Sequence, residues 1–157
     1  MATEYLMELV GEGAKVAELQ GVPGASATID RGAGFHQVAD QSLQVAASQT
    51  ANFNRAEGMT VMENILQSDG TIKGVFAHND EMALGAVEAV AASGKDIKIV
   101  GFDATDDAQK AVKDGKMAAT VAQKPDKMGE TAIGTAVKIM AGETVEKSIP
   151  VEVELIK

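Results

Sequence analysis

The 157-residue chain has no cysteine, no tryptophan, three prolines and two histidines. The missing cysteine excludes disulfides, thiolate metal ligands and cysteine nucleophiles. It leaves the compartment open, because many exported bacterial proteins also lack cysteine. The histidines, His36 and His78, do not have the spacing of a metal-binding pair, so no metal centre is expected. No window approaches the about 18 uninterrupted apolar residues with which a helix crosses a bilayer. Basic residues are few and scattered: 14 Lys and Arg stand against 23 Asp and Glu, for a net charge of −9. A sequence-independent grip on nucleic acid needs a basic surface, and docking on an anionic membrane needs a basic run; neither partner is expected. The start lacks a signal-peptide pattern. Met1 leads directly into Ala-Thr-Glu-Tyr-Leu-Met-Glu-Leu-Val, an amphipathic helix with no residue to cap it, as expected of a chain cut from something longer.

What is present is enough apolar residue, 45%, for one globular core, and a repeated unit. The clearest copy runs from Thr71 to Ala91. A buried-strand run, Val75-Phe76-Ala77, meets a polar turn, His78-Asn79, and then a helix opened by Asp80 and Glu81. Met82, Ala83, Ala86, Val87, Val90 and Ala91 would line its apolar stripe. Further strands are expected at Lys15 to Gln20, Leu43 to Ser48, Ile97 to Phe102 and Met117 to Ala122, with an alternating edge strand at Ile149 to Ile156. Helices should fill the intervals, one capped by Thr105 and one started by Pro125. This alternation predicts an α/β fold: a three-layer sandwich, a mostly parallel sheet with helices on both faces.

Placed on that scheme, five residues gather at successive strand ends or in the helix turn just behind: Arg31, Phe53, Asn79, Asp103 and Gln123. Open α/β sheets bind ligands at that rim. A guanidinium, a carboxylate and two amides suit adjacent hydroxyls, and a phenyl face suits the C–H side of a sugar ring. Singly, each has a plainer reading: Asp103 as a helix cap, Arg31 as a surface partner of Asp30, Asn79 as a turn former, Phe53 as core, Gln123 as a strand end. Their joint placement argues for a pocket. No member is a nucleophile with a base beside it, so catalysis is not expected.

Competing motifs fit less well. Gly21-Val22-Pro23-Gly24-Ala25-Ser26 is a glycine-bearing strand-to-helix turn, yet it matches neither phosphate-binding pattern, and the second strand ends in Gln49 where a dinucleotide site wants an acid. Asp103, Asp106 and Asp107 resemble a Mg²⁺ cluster, but acids at a helix start answer the helix dipole. No cofactor is expected.

GEGAKVAELQGVPGASATIDRGAGF, VFAHNDEMALGAVEAV, IVGFDATDDAQKAVKDGKMAATVAQKPDKMG and IPVEVELI resemble the C-terminal half of ribose-binding proteins. These are the sugar-binding components of bacterial ABC importers, with the type I periplasmic-binding-protein fold. The resemblance implies a non-catalytic lobe that holds ribose or a similar monosaccharide through Arg31, Phe53, Asn79, Asp103 and Gln123. It implies a periplasmic parent whose partner is a membrane permease. By the same resemblance, residues 1–123 and 148–157 form the C-terminal lobe, and 124–147 form a hinge crossing and a helix belonging to an N-terminal lobe. That helix would expose its apolar face, and it is expected to dock on its own lobe, to pair with another copy through 124–142, or to be mobile. The effector-binding core of a LacI-type transcription regulator shares the fold and is the alternative; a DNA-binding headpiece upstream would distinguish it.

Overall fold

Short runs rich in valine, isoleucine and alanine, each closed by a polar turn, make six strands in the computed structural model, which describes residues 1–157. They are β1 (Lys15–Gln20), β2 (Gln44–Thr50), β3 (Gly74–Ala77), β4 (Lys98–Phe102), β5 (Ala119–Ala122) and β6 (Glu154–Ile156). The helices are α1 (Ala2–Val10), α2 (Ser26–Ser42), α3 (Arg55–Ser68), α4 (Asp80–Ser93), α5 (Asp106–Lys113) and α6 (Pro125–Met140). The sheet order is β2-β1-β3-β4-β5-β6. The first five strands pair in parallel, and β6 runs antiparallel to β5 at the edge.

Side chains alternate across the sheet, as the pleat requires. Ala17, Leu19, Val75, Ala77 and Ile99 face a core of 19 buried residues shared with α3, α4 and α5. Val16, Phe76, Val100 and Ala119 face a smaller core of eight, closed by α1 and α2 through Leu6, Phe35, Ala39 and Leu43. The two faces are therefore covered unequally, and the α4 side carries most of the apolar burial. α3 and α4 approach so closely that a Cβ added at Gly85 would lie 2.1 Å from the Arg55 carbonyl oxygen.

The chain order turns back between β1 and β3, which are neighbours in the sheet but send their following helices, α2 and α4, to opposite faces. That reversal opens a crevice at the carboxyl ends of these strands.

Several boundaries differ from the sequence expectation. β2 starts at Gln44 and continues to Thr50, because its polar end keeps pairing with β1 up to Gln20↔Thr50. β5 starts at Ala119 because the Met117 amide turns back to the Ala111 carbonyl at 3.1 Å. β5 is then four residues long and offers pairing only to Glu154, Leu155 and Ile156, so Ile149 to Val153 form no strand. Ala91 is exposed, and Leu84 and Gly85 are buried in its place, because α4 lies between α3, α5 and the sheet.

α6 does not dock on the lobe. Pro125 opens it at the first helical position, and none of its residues is buried. Ile133, Val137 and Met140 remain 69%, 60% and 87% exposed.

Candidate functional site

Each loop leaving the carboxyl end of β1 to β5 contributes to one rim. After β1, the Gly21–Ala25 turn enters α2, and Thr28 Oγ1 ties the first turn back by donating to the Val22 carbonyl at 2.8 Å. One turn on, Arg31 reaches across the switch point. Its Nη1 donates to the His78 carbonyl, and its Nη2 donates to Asp103 Oδ1 at 3.1 Å. The guanidinium also lies over the Phe102 ring, 3.9 Å from the centroid, which fixes its plane. Asp103, not the neighbouring Asp30, is therefore its partner.

Asp103 does not cap a helix. That role falls to Thr105, whose hydroxyl accepts from the Ala108 amide at 3.3 Å. Asp103 instead collects two donors on one oxygen: Arg31 Nη2, and Gln123 Nε2 at 2.7 Å. Its other oxygen, Oδ2, makes no hydrogen bond within the protein. With the side chain 30% exposed, that oxygen is open to a hydroxyl from outside.

Asn79 does two things at once. Its Oδ1 caps α4 by accepting from the Met82 amide at 3.0 Å, and its Nδ2 donates to the Phe53 carbonyl at 3.4 Å. The Phe53 ring lies directly over Gly21: a Cβ there would fall 2.0 Å from Phe53 Cζ, so only glycine leaves room for it. Arg31, Asp103 and Gln123 thus form one bonded group and Asn79 and Phe53 another, with the adjacent residues His78 and Asn79 joining them.

Backbone conformation marks the same loops. The non-glycine residues with positive φ are Asn52 (52°), Phe53 (59°), Asp103 (119°) and Ala104 (52°). All four lie in the turns after β2 and β4. Such conformations are unfavourable for L-residues and concentrate at ligand sites.

Sequence reasoning missed the support beneath the rim. Glu18 and His78 are both fully buried, and Glu18 Oε1 meets His78 Nε2 at 2.8 Å. The Gly21 amide donates to His78 Nδ1 at 3.3 Å, which puts the ring proton on Nε2, facing the carboxylate. Gln20 Nε2 donates to Glu18 Oε2 at 2.9 Å, and the Ser48 hydroxyl donates to the same oxygen. Burial alone would raise the Glu18 carboxyl, but the hydrogen bonds from His78, Ser48 and Gln20 outweigh it and hold the carboxyl down at about 2. The available signal was a lone glutamate inside an apolar strand. Phe102 was hidden for a different reason: at a strand end it reads as core.

The site is an open rim. A hollow of about 300 Å³ beside it, lined by Phe35, Phe76, Phe102 and Val121, touches only Arg31 of the five.

A parallel sheet with polar side chains and strained turns gathered at its switch point is the architecture of a small-molecule-binding lobe. The chain belongs to the periplasmic binding protein domain family, whose model matches residues 1–144. It is 54% identical over 155 residues to the ribose import binding protein of Bacillus subtilis (strain 168), covering 99% of this chain and 51% of that protein. Among solved structures, it superposes with a TM-score of 0.90 and 32% identity on an ABC transporter periplasmic solute-binding protein from Actinobacillus succinogenes 130z with bound D-allose. That match covers 99% of this chain and 57% of the other. A solute-binding protein from Bacillus halodurans C-125 with bound myo-inositol matches with a TM-score of 0.87 and 39% identity, over 99% of this chain and 55% of the other. The chain spans about half the length of the relatives it matches.

Proposed function

We propose that this chain is the C-terminal half of the solute-binding component of an ABC sugar importer, and that it binds ribose or a closely similar monosaccharide through Arg31, Phe53, Asn79, Asp103 and Gln123. The observation that carries the reading is the shared Asp103 carboxylate. Arg31 and Gln123 hold one oxygen and fix its direction, while the free oxygen faces outward to accept from a sugar hydroxyl. Charge-assisted hydrogen bonds of this kind are stronger than neutral ones, and the strained turn has already met the cost of orientation. The Phe53 ring offers the apolar contact that one face of a pyranose or furanose requires. The protein acts by binding alone, and no bond is made or broken.

In the parent protein a second lobe closes over the exposed face of the sugar, and the closed pair presents itself to a membrane permease in the periplasm. Residues 124–147 are then the hinge crossing and a helix that packs on the second lobe. The exposed apolar residues of α6 support this. In the solitary chain that face would drive self-association through 124–142.

Calorimetry with D-ribose tests the proposal. Half a site loses several hydrogen bonds of about 1 kcal/mol each, so the chain alone should bind decades more weakly than a complete clamp. Asp103→Ala should abolish the remaining heat. Unchanged affinity in that variant would contradict the site, and tight binding by the chain alone would contradict the two-lobed clamp.

A further inference from the structure

Beneath the Asp103 turn lies a second buried carboxylate that the sugar-binding reading does not use. Asp80, the first residue of α4, is fully buried and has no cation within salt-bridge distance. A buried charge with no counter-ion is unfavourable. Its contacts give the reason for it. Asp80 Oδ1 accepts from Thr120 Oγ1 at 2.7 Å; Oδ2 accepts from the Thr105 amide at 2.8 Å and from Thr105 Oγ1 at 3.3 Å. Having given its proton to Asp80, the Thr120 hydroxyl presents a lone pair to the Ala104 amide, which donates to it at 3.1 Å. The carboxylate therefore fastens both residues that follow Asp103, one directly and one through a hydroxyl.

Those are the residues on which the turn depends. Asp103 and Ala104 have φ values of 119° and 52°, sparsely populated for L-residues. The Asp103 amide donates to the Val121 carbonyl at 2.9 Å and Gln109 Nε2 to the Ala104 carbonyl at 2.7 Å, so the hold that Asp80 supplies is the one on the Ala104 and Thr105 amides. The carboxylate reaches them by crossing beneath β4 at Gly101, where a Cβ would stand 2.3 Å from Asp80 Oδ1. No larger residue at 101 leaves that path open. Thr120 itself points from β5 to the α4 side of the sheet and is fully buried, so it is not available to a ligand.

We infer that Asp80, acting through Thr120 and Thr105, is a positioning residue that holds the strained Asp103–Ala104 turn and so aims the Asp103 carboxylate at the ligand. The consequence for the sugar rests on the proposed function; the anchoring of the turn does not.

The test uses the whole chain with Thr120→Val, which keeps the shape and deletes the hydroxyl, Thr120→Ser, which restores it, and Asp80→Asn. Ile65→Val, in the distant α3 core, serves as a control for loss of stability alone. Two quantities are read: exchange of the Ala104 amide by NMR, and affinity for D-ribose. Thr120→Val should speed Ala104 exchange relative to the rest of the sheet and weaken ribose binding about tenfold, the worth of about one misdirected hydrogen bond. Asp80→Asn, which leaves one acceptor oxygen where the Thr120 hydroxyl and the Thr105 amide need two, should do the same. Thr120→Ser should behave as the parent, and Ile65→Val should lower the unfolding temperature without moving either readout. Unchanged Ala104 exchange in both Thr120→Val and Asp80→Asn would overturn the inference. So would faster exchange with unaltered affinity, because the turn would then not aim the carboxylate. If the parent chain binds no ribose, the sugar reading falls, and the Ala104 exchange still decides whether Asp80 holds the turn.

Discussion

Replacing Glu18 by glutamine isolates the buried pair that supports the rim. The carboxylate is fully buried, so solvent does not screen it, and His78, Ser48 and Gln20 present hydrogens to it, with His36 Nε2 at 3.3 Å from its Oε2. Its carboxyl lies at about 2 in the folded protein against an ordinary 4.5. At about 1.4 kcal/mol per pKa unit, that depression corresponds to about 3 kcal/mol of folding stability. The sign follows from the direction. A depressed carboxyl contributes fully above its unfolded value near 4.5, and the contribution is lost as pH falls toward about 2. Urea unfolding followed by circular dichroism, at constant ionic strength from pH 7 downward, should show Glu18→Gln less stable by about 3 kcal/mol at neutral pH. The gap should narrow steadily below pH about 4.5. Taking the difference between the two proteins cancels carboxylates that do not touch Glu18, including Asp80, whose burial pushes its carboxyl up and whose contribution therefore runs the opposite way. His36, raised by Asp40 and also by Glu18, does not cancel and widens the gap as it takes up its proton before the gap narrows. A gap of equal size at pH 7 and at the lowest pH where both remain folded would show that the Glu18 carboxyl is not depressed in the folded protein.

Gly21→Ala should weaken the ligand contact and also lower stability, because Phe53 packs on the larger core: the new Cβ would meet the Phe53 ring at 2.0 Å, and the ring must swing out. Losing one aromatic contact predicts about tenfold weaker ribose binding by calorimetry, and an unchanged affinity would remove Phe53 from the site. On α6, Ile133→Gln combined with Val137→Gln should leave the thermal unfolding of the lobe nearly unchanged, by about 0.5 kcal/mol or less per site, because neither side chain is buried. Sedimentation of the same variant should show less self-association than the parent; equal association would place the contact elsewhere.

The legible part of the fold was its rhythm. Strand-length apolar runs ending in turn chemistry located β1, β3 and β4 within a residue, because buried parallel strands read as continuous apolar segments. Edge strands were harder. β2 is polar and mostly exposed, and β6 takes its length from its partner, a property of the pairing and not of Ile149 to Ile156. The candidate site was legible for the same reason as the fold: topology sends every β-to-α loop of a parallel sheet to one rim, so Asn79, Asp103 and Gln123 converge once the strands are placed. The supporting shell was not. Glu18 meets His78 from 60 positions away, and Asp80 meets Thr120 from 40, and no local pattern encodes such pairs. Asp80 looked like a charge answering the helix dipole; its contacts show it reaching under β4 to the next loop.

In the function proposed above, one rim, built from the turns after β1 to β5, receives a monosaccharide. Titrating D-ribose into the ¹⁵N-labelled chain and following its amide and side-chain NH signals tests this most directly. Saturable shifts are expected at Phe53, Asn79, Asp103, Ala104 and the side chains of Arg31 and Gln123, with the opposite end of the sheet silent. Shifts centred anywhere else, at the Lys73–Lys98 end or along α6, would contradict it.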